Sequence, residues 1–453
     1  MLAGGTLRRG YTFGVLQAWL DAPRALRLQD APIPVPDAGE VVVRVRVALT
    51  CGTDLKTYRR GHAKLPFGLF GHEGAGEVVA VGDGVSHLQV GQRVTWLPTA
   101  PCGACPLCQR GRPNLCRRLF DAVVLGTYAE YLRINARVAA QHVFQLQGLS
   151  DLQGAFVEPL ACVIHAWRQL EPLPGKRVCI VGTGAMGYLH LMEAQARGCE
   201  TVVVGRRAER LELARALGAQ HIIQASDDAD WQAQALRLTD GGADVVVEAT
   251  GAKAIWELAP NLAAPGGKVL LYSGLAKGET VSVLAERWHY DELTILGSFH
   301  FTTQDAHTAL ERLRHGQLPV ERLITGVYPL REIVAVFEQL DQGAGIKYAI
   351  VPDAGAYAIS TGVGGTARRI PHRHSVGSNT YHPCSEHTPV GANGCSPHCP
   401  AQSQQALTLG GEWRGVVAGH GTPCPACCAS PQPFVRHAPT LGGECYLLSP
   451  RAR

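Results

Sequence analysis

Gly182-Thr183-Gly184-Ala185-Met186-Gly187 sits between the short apolar run Arg177–Val181 and the apolar stretch Met186–Ala196. A strand that turns through glycines straight into a helix leaves the chain few ways to fold. The glycines permit the tight turn and let the backbone approach a pyrophosphate at the helix N-terminus, where unpaired amides collect. Without those flanks the pattern would be only a glycine-rich turn of a sheet protein with no ligand. The rhythm continues downstream. The helix stops at Gly198. The strand Thr201–Val204, the helix Ala208–Leu217 and the strands His221–Ile223, Asp244–Glu248, Lys268–Tyr272 and Leu293–Ile295 follow. Alternating strands and helices predict an α/β fold, a doubly wound parallel sheet with helices on both faces, over residues 156–297.

The flanking regions read differently. Glu40–Leu49 alternates and is rich in valine, and Gly76–Val81 and Arg93–Leu97 are short apolar runs bounded by turn residues. They predict a barrel-like β domain over residues 15–155. Residues 298–352, with a helix at Leu330–Asp341 and a strand at Tyr348–Val351, would close it. From Asp353 to Arg453 the chain is rich in Gly, Pro, Ser, Thr, His and Cys and shows no apolar periodicity. It reads as a disordered tail with too little apolar surface to offset chain entropy. A chain of 453 residues is long enough for two apolar cores. A formal net charge of +4 leaves no electrostatic footprint for nucleic acid. No apolar run reaches the roughly 18 residues of a membrane span. Met1–Gly14 has Arg8 and Arg9 but no apolar run behind them, so no secretory signal is expected.

Of the 15 cysteines, four stand together as Cys102, Cys105, Cys108 and Cys116, while Cys51, Cys162, Cys179 and Cys199 are scattered through the body. Clustered cysteines in a large chain read as metal ligands and as a sign of a reducing, cytoplasmic compartment. Four thiolates at this spacing can close around one tetrahedral zinc. Gly103 and Gly111 let the loop, residues 98–118, turn. With every position filled by protein, such a zinc is structural. The other reading, four unrelated surface cysteines, sits badly with clustering this tight.

Cys51-Gly52-Thr53-Asp54 and Gly71-His72-Glu73 offer a thiol and an imidazole, ligands suited to a catalytic zinc. By themselves they also fit a buried cysteine and a hydrogen-bonded core histidine. The carboxylate of Glu158-Pro159-Leu160-Ala161, just before the sheet region, would add a ligand where the two domains meet. Beyond the second strand stands Gly205-Arg206-Arg207, where a carboxylate would grip the ribose hydroxyl of NAD. Guanidinium groups suit the 2′-phosphate of NADP. Alternatively, both are solvated helix-start residues.

Together these motifs resemble the zinc-containing medium-chain alcohol dehydrogenases, in particular the polyol branch of sorbitol, threonine and idonate dehydrogenases. The resemblance runs from about Leu16 to Val351 and includes Gly297-Ser298-Phe299-His300. It implies a GroES-like catalytic domain joined to a Rossmann domain. It implies two zinc ions per chain, a nicotinamide cofactor bound at Gly182, Gly184, Met186 and Gly187, and preference for NADP through Arg206 and Arg207. Cys51 and His72 would hold the catalytic zinc, with either Glu73 or Glu158 as the further ligand. Thr53 would bond the substrate oxygen and begin a proton relay. Asp54 would orient His72, and Lys347 would reach the cofactor phosphates. The substrate would be a small alcohol, polyol or ketone, and the assembly a homodimer or homotetramer. A zinc-free quinone or enone reductase shares this fold, and a non-catalytic nucleotide-binding protein would need no ligand set. The intact cysteine and histidine motifs argue against both. The tail holds Cys384, His387, Cys395, His398, Cys399, Cys424, Cys427 and Cys428. They read as accessory sequence or as a zinc module.

Overall fold

The computed structural model describes residues 14–352 except Leu173 and residues 227–229. The expected tail, with its cysteines and histidines, lies outside the described residues. The first half holds β1 (Val15–Leu20), β2 (Leu26–Ala31), β3 (Val41–Leu49), α1 (Gly52–Arg60), β4 (Gly68–Leu69), β5 (Glu73–Val81), β6 (Arg93–Trp96), α2 (Pro106–Gln109), β7 (Tyr131–Ile134), α3 (Ala136–Gln141), β8 (Val143–Gln145), α4 (Asp151–Ala155) and α5 (Val157–Leu170). Next come β9 (Arg177–Val181), α6 (Ala185–Ala196), β10 (Glu200–Gly205), α7 (Ala208–Ala216), β11 (His221–Gln224), α8 (Asp230–Leu238), β12 (Ala243–Glu248), α9 (Lys253–Leu258), β13 (Ala263–Leu271), α10 (Ala285–Tyr290) and β14 (Thr294–Gly297). The chain closes with α11 (Thr303–Arg314), β15 (Ile324–Pro329), α12 (Ile333–Asp341) and β16 (Lys347–Val351).

β9 to β14 form a six-stranded parallel sheet in the order β11-β10-β9-β12-β13-β14. The order reverses between β9 and β12, so a crevice opens past their carboxyl ends, where such sheets bind ligands. β9 and β12 are buried nearly throughout, as strands covered on both faces must be. The β-rich part is a seven-stranded sheet built on the pairing of β3 with β5, with β16 returning from the end of the described chain to pair with β3. β1, β2 and β4 form a separate small sheet. The GroES-like plus Rossmann-type α/β architecture expected from the motifs is the one observed.

α5 was not legible as a helix in the sequence. Eleven of its 14 residues are buried, so it shows no polar stripe to mark its period. Pro159 sits in its first turn, where no intrahelical amide bond is lost. The helix packs on α11 and α6, and it carries Glu158 into the interior.

Asp305 pins α11 to α5. It closes a capping box with Thr302, accepting from the Thr302 amide at 2.7 Å, and it meets His165 Nδ1 at 2.9 Å and Arg168 at 3.3 Å. Burial opposes its charge, but the hydrogen bonds from His165 and Thr302 outweigh it and hold the carboxyl below its ordinary range. Asp305→Ala is expected to cost about 3 kcal/mol at pH 7, since it strands several donors in the interior. The urea midpoint should fall at an unchanged slope. Because the folded-state pKa is depressed, the wild-type advantage should hold at neutral pH and shrink as pH drops below about 4. An unchanged midpoint would refute this role.

Candidate metal centre and cofactor cleft

The register of two strands assembles the first cluster. Leu49, near the end of β3, pairs with Glu73, the first residue of β5. The chain leaving β3 therefore puts Cys51 beside His72 and Glu73. Cys51 caps α1, and its Sγ accepts from the Thr53 amide at 3.4 Å. The ligand atoms of Cys51, His72 and Glu73 all lie within 4.8 Å of one another.

Each of these groups is held by a second residue. His72 Nδ1 is 2.8 Å from Asp54 Oδ1. The Tyr128 hydroxyl donates to Asp54 Oδ2 at 2.7 Å and lies 3.0 Å from the Leu49 carbonyl. A carboxylate on Nδ1 fixes the ring and leaves Nε2 for a ligand. Burial works against a charged His72, but Asp54 and Cys51 push its pKa well above the ordinary value. Burial, then the Glu73 charge, raises the Cys51 thiol.

Glu73 is 0% exposed and Lys347 1%. Lys347 Nζ lies 2.5 Å from Glu73 Oε2 and donates to the Thr50 carbonyl at 2.9 Å. The resemblance assigned Lys347 to the cofactor phosphates; in this structure its ammonium lies on Glu73. The residue stands first in β16, and pairing with β3 turns its ammonium inward onto Glu73. Glu73 Oε1 has no hydrogen-bond partner among the described residues. A buried carboxylate oxygen left bare, beside a thiol and an imidazole, fits a metal ligand.

Glu158 borders the cluster without joining it. It lies in the first turn of α5, with Oε1 3.8 Å from Cys162 Sγ, and it is not part of the three-ligand cluster. Burial pushes its carboxyl up to about 7. Thr53 is half-buried, and its hydroxyl makes no hydrogen bond among the described residues.

The four-cysteine lobe closes on itself. Cys105 Sγ is 3.6 Å from Cys108 Sγ and 3.9 Å from Cys116 Sγ. Four thiolates about 2.3 Å from one zinc stand roughly 3.8 Å apart, so the spacing suits the metal. It is far too long for a disulfide. The amides of Cys102 and Arg118 each approach Cys116 Sγ at 3.3 Å. Backbone amides of Cys108 and Arg117 lower Cys105 to about 6, whereas burial pushes Cys108 up to about 12.

Past β9 the backbone makes room for a ligand. Gly182 has φ +128°, and a Cβ there would stand 2.9 Å from the Ala249 carbonyl. A Cβ on Gly187 would collide with the Gly182 carbonyl, whereas one on Gly184 would meet nothing within 4 Å. The open side is therefore at Gly184, the N-cap of α6, which has no side-chain cap. Met186 packs partly against the main core. Across the crevice Glu248 Oε1 accepts from the amides of Thr250 and Gly251 at 2.6 and 2.7 Å, which fixes the turn facing Gly182. Arg206 is exposed, and its guanidinium makes no hydrogen bond or ion pair among the described residues, although its carbonyl accepts from the Gln224 amide group at 3.3 Å. Arg207 is engaged: it donates to the Gly343 carbonyl at 2.6 Å, as Arg210 does to Gly345 at 2.5 Å.

Sequence reasoning missed Tyr128, Glu248 and the contact of Lys347 with Glu73. A lone tyrosine after Gly126-Thr127, or a glutamate ending an apolar strand, carries no local signal of what it will touch.

Residues 37–144 match the alcohol dehydrogenase GroES-like domain, and residues 185–315 match the zinc-binding dehydrogenase family. A probable D-xylulose reductase A from Arthroderma otae is 32% identical over 346 residues, covering 73% of this chain and 95% of that protein. The chain belongs to the zinc-binding alcohol dehydrogenases. The sorbitol dehydrogenase of Bombyx mori is 31% identical over 342 residues, covering 74% of this alcohol dehydrogenase and 97% of its relative. The solved structure of a zinc-binding dehydrogenase from Sinorhizobium meliloti, bound to NADP, is 28% identical with a TM-score of 0.68, and the match covers 75% of this chain and 99% of that one. This alcohol dehydrogenase is thus a polyol-branch, NAD(P)-linked oxidoreductase of the zinc-dependent type. Among the described residues no helix is long and apolar enough to cross a membrane.

Proposed function

We propose that this enzyme reversibly oxidises a hydroxyl-bearing carbon of a polyol-class substrate with NADP, using one zinc at Cys51, His72 and Glu73 and a second in the four-cysteine lobe. The bare Oε1 of Glu73 beside Cys51 and His72 carries the reading. It favours Glu73 over Glu158 as the carboxylate ligand. Glu158, outside the cluster, borders the site and is held near neutrality by burial.

When bound, zinc supplies Lewis acidity at the substrate oxygen and the nicotinamide supplies the hydride acceptor. The chain's own residues do the rest. Tyr128 and Asp54 fix the ring of His72. Lys347 orients Glu73 and neutralises its charge. The unbonded Thr53 hydroxyl, two residues past Cys51 and half-buried, accepts the proton of the substrate hydroxyl as it passes its own to water. Lys56, one turn further along α1, donates to the Gly274 carbonyl at 3.4 Å. Arg206 meets the 2′-phosphate as an uncommitted guanidinium, while Arg207 keeps its bond to Gly343.

A homo-oligomer fits the same structure. Among the described residues β14 has no strand on its outer side, and Leu284, Trp288 and Tyr290 lie exposed just before it. Edges of this kind invite pairing with a second copy.

Elemental analysis of the purified protein should find about two zinc ions per chain. Cys105→Ser should remove one of them and lower the melting temperature; one zinc or none in the wild type would rule out the two-site reading. Cys51→Ser should abolish turnover while NADP still binds. Thr53→Ala should slow turnover by about 100-fold or more, and Thr53→Ser by far less, as expected for a lost proton-transfer group. Wild-type speed in Thr53→Ala would remove Thr53 from the relay. For the cofactor, kcat/KM should favour NADP over NAD, and Arg206→Asp should reverse the order. Equal values in the wild type would overturn the preference.

A further inference from the structure

Lys347 is delivered to Glu73 by a segment that other parts of the molecule hold in place. Residues 342–346 run from the end of α12 to the start of β16 and carry no charged side chain. They turn through two left-handed glycines, Gly343 at φ +82° and Gly345 at φ +66°. A Cβ on Gly343 would stand 2.7 Å from the Arg207 guanidinium, and one on Gly345 would collide with the Tyr348 hydroxyl. Upstream of the segment, Asp341 is tied to the β-rich part by Arg24 at 2.5 Å and by Arg59 of α1 at 2.6 Å. Downstream, Lys347 lies on Glu73 Oε2 at 2.5 Å.

Between those ends the segment is gripped from the start of α7. Arg207 donates to the Gly343 carbonyl at 2.6 Å. Arg210 donates to the Gly345 carbonyl at 2.5 Å and to that of Gly343 at 3.3 Å. Its other nitrogen donates to the Thr183 carbonyl at 3.4 Å, inside the glycine turn. One guanidinium thus touches both the turn that would hold the cofactor and the segment that ends in Lys347. The Tyr188 hydroxyl, from α6, fixes the Arg210 carbonyl at 2.8 Å. Neither arginine has a carboxylate partner among the described residues. Two permanent cations converging on the Gly343 carbonyl repel each other. Burial, then the charge of Arg207, lowers the pKa of Arg210 accordingly. An anion bound nearby would offset that repulsion.

We propose that Arg207 and Arg210 are positioning residues that couple the nucleotide end of the cleft to the metal centre, so that a bound adenine nucleotide tightens zinc at Cys51, His72 and Glu73. This rests on the zinc and NADP reading of the two sites and adds a link between them. The phosphate charge of the nucleotide offsets the repulsion between the two guanidiniums. Arg210 then stays on Thr183 and Gly345, and residues 342–346 are held still. Lys347 stays on Glu73 Oε2, and Oε1 is left to face Cys51 and His72. Every contact on the route, from Thr183 through Arg210, Gly345 and Lys347 to Glu73, is either a hydrogen bond, an ion pair or two residues of chain. Such a coupling is reciprocal: zinc tightens the nucleotide by the factor by which the nucleotide tightens zinc.

Adenosine 2′,5′-bisphosphate tests this, because it carries phosphate but lacks the nicotinamide that would cover the metal. Zinc affinity is measured in the full-length protein by competition with a chelator, and Cys51→Ser marks which of the two ions is being titrated. Saturating nucleotide should tighten the Cys51-dependent zinc by about fivefold or more and leave the four-cysteine zinc unmoved. Calorimetric titration should show the nucleotide tightened by the same factor when that site is filled. Arg210→Gln, which cannot span both carbonyls, should cut the gain to less than about twofold with the nucleotide still saturating, and Arg207→Gln should cut it in part. Zinc affinity unchanged or weakened by the nucleotide in the wild type would overturn the coupling, whatever the variants do. A full gain persisting in Arg210→Gln would overturn the role of the arginines. If ADP binds and the bisphosphate does not, the NADP preference falls, and ADP decides the coupling in the same titration. A protein with no Cys51-dependent zinc would defeat the underlying metal reading instead.

Discussion

The pairing of β3 with β5 decides where the ligands of the candidate metal site end up. Leu49 opposite Glu73 is the critical register. From it, Cys51 starts α1 just as His72 leads into β5, and a thiol meets an imidazole. A slip of one residue would send Glu73 to the opposite face of the sheet. It would also part Cys51 from His72. The strand interiors guard against that slip: β3 presents seven buried residues, nearly all aliphatic, which no other register would keep inside.

On this frame stands a chain of groups that each fix the next. Tyr128 holds Asp54, Asp54 holds His72, and Lys347 holds Glu73. A fully buried carboxylate and ammonium are costly to desolvate, and each is tolerable only because the other is there. The ammonium arrives on β16, the last strand of the described chain. The site is therefore completed only when the closing segment pairs with β3. Asn114, His165 and Asp305 tie the cysteine lobe to α5 and α11 in a similar way, with Asn114 3.1 Å from His165 and His165 2.9 Å from Asp305. The four-cysteine lobe thereby braces the loop that carries Phe299 and His300.

Much of this was legible in the residues. The strands flanking the glycine motif appear where alternation of strand and helix put them, because parallel sheets demand continuous apolar runs that stand out in sequence. The helix ends at Gly198 and Gly218 were marked by glycine. α5 was hidden by being apolar all round. β1 and β2 were hidden because their small sheet mixes buried and exposed residues without strict alternation. Tyr128 and Glu248 act through contacts their neighbours in sequence do not reveal.

The sequence by itself determined the four-cysteine lobe and the glycine turn at Gly182–Gly187. These features are local: their geometry is set within a few residues by spacing and by backbone freedom, so the chain announces them before it folds. Only the tertiary structure decided which carboxylate joins Cys51 and His72, where Lys347 points, and which of two adjacent arginines stays free. Glu73 and Glu158 are alike as residues. What separates them is that one starts a strand beside Cys51 and the other rides a helix packed against a different neighbour. Arg206 and Arg207 differ only in that a carbonyl from the Gly343 turn reaches one of them. Such choices depend on distant segments meeting in a particular register, and that register is set by burial of the whole core.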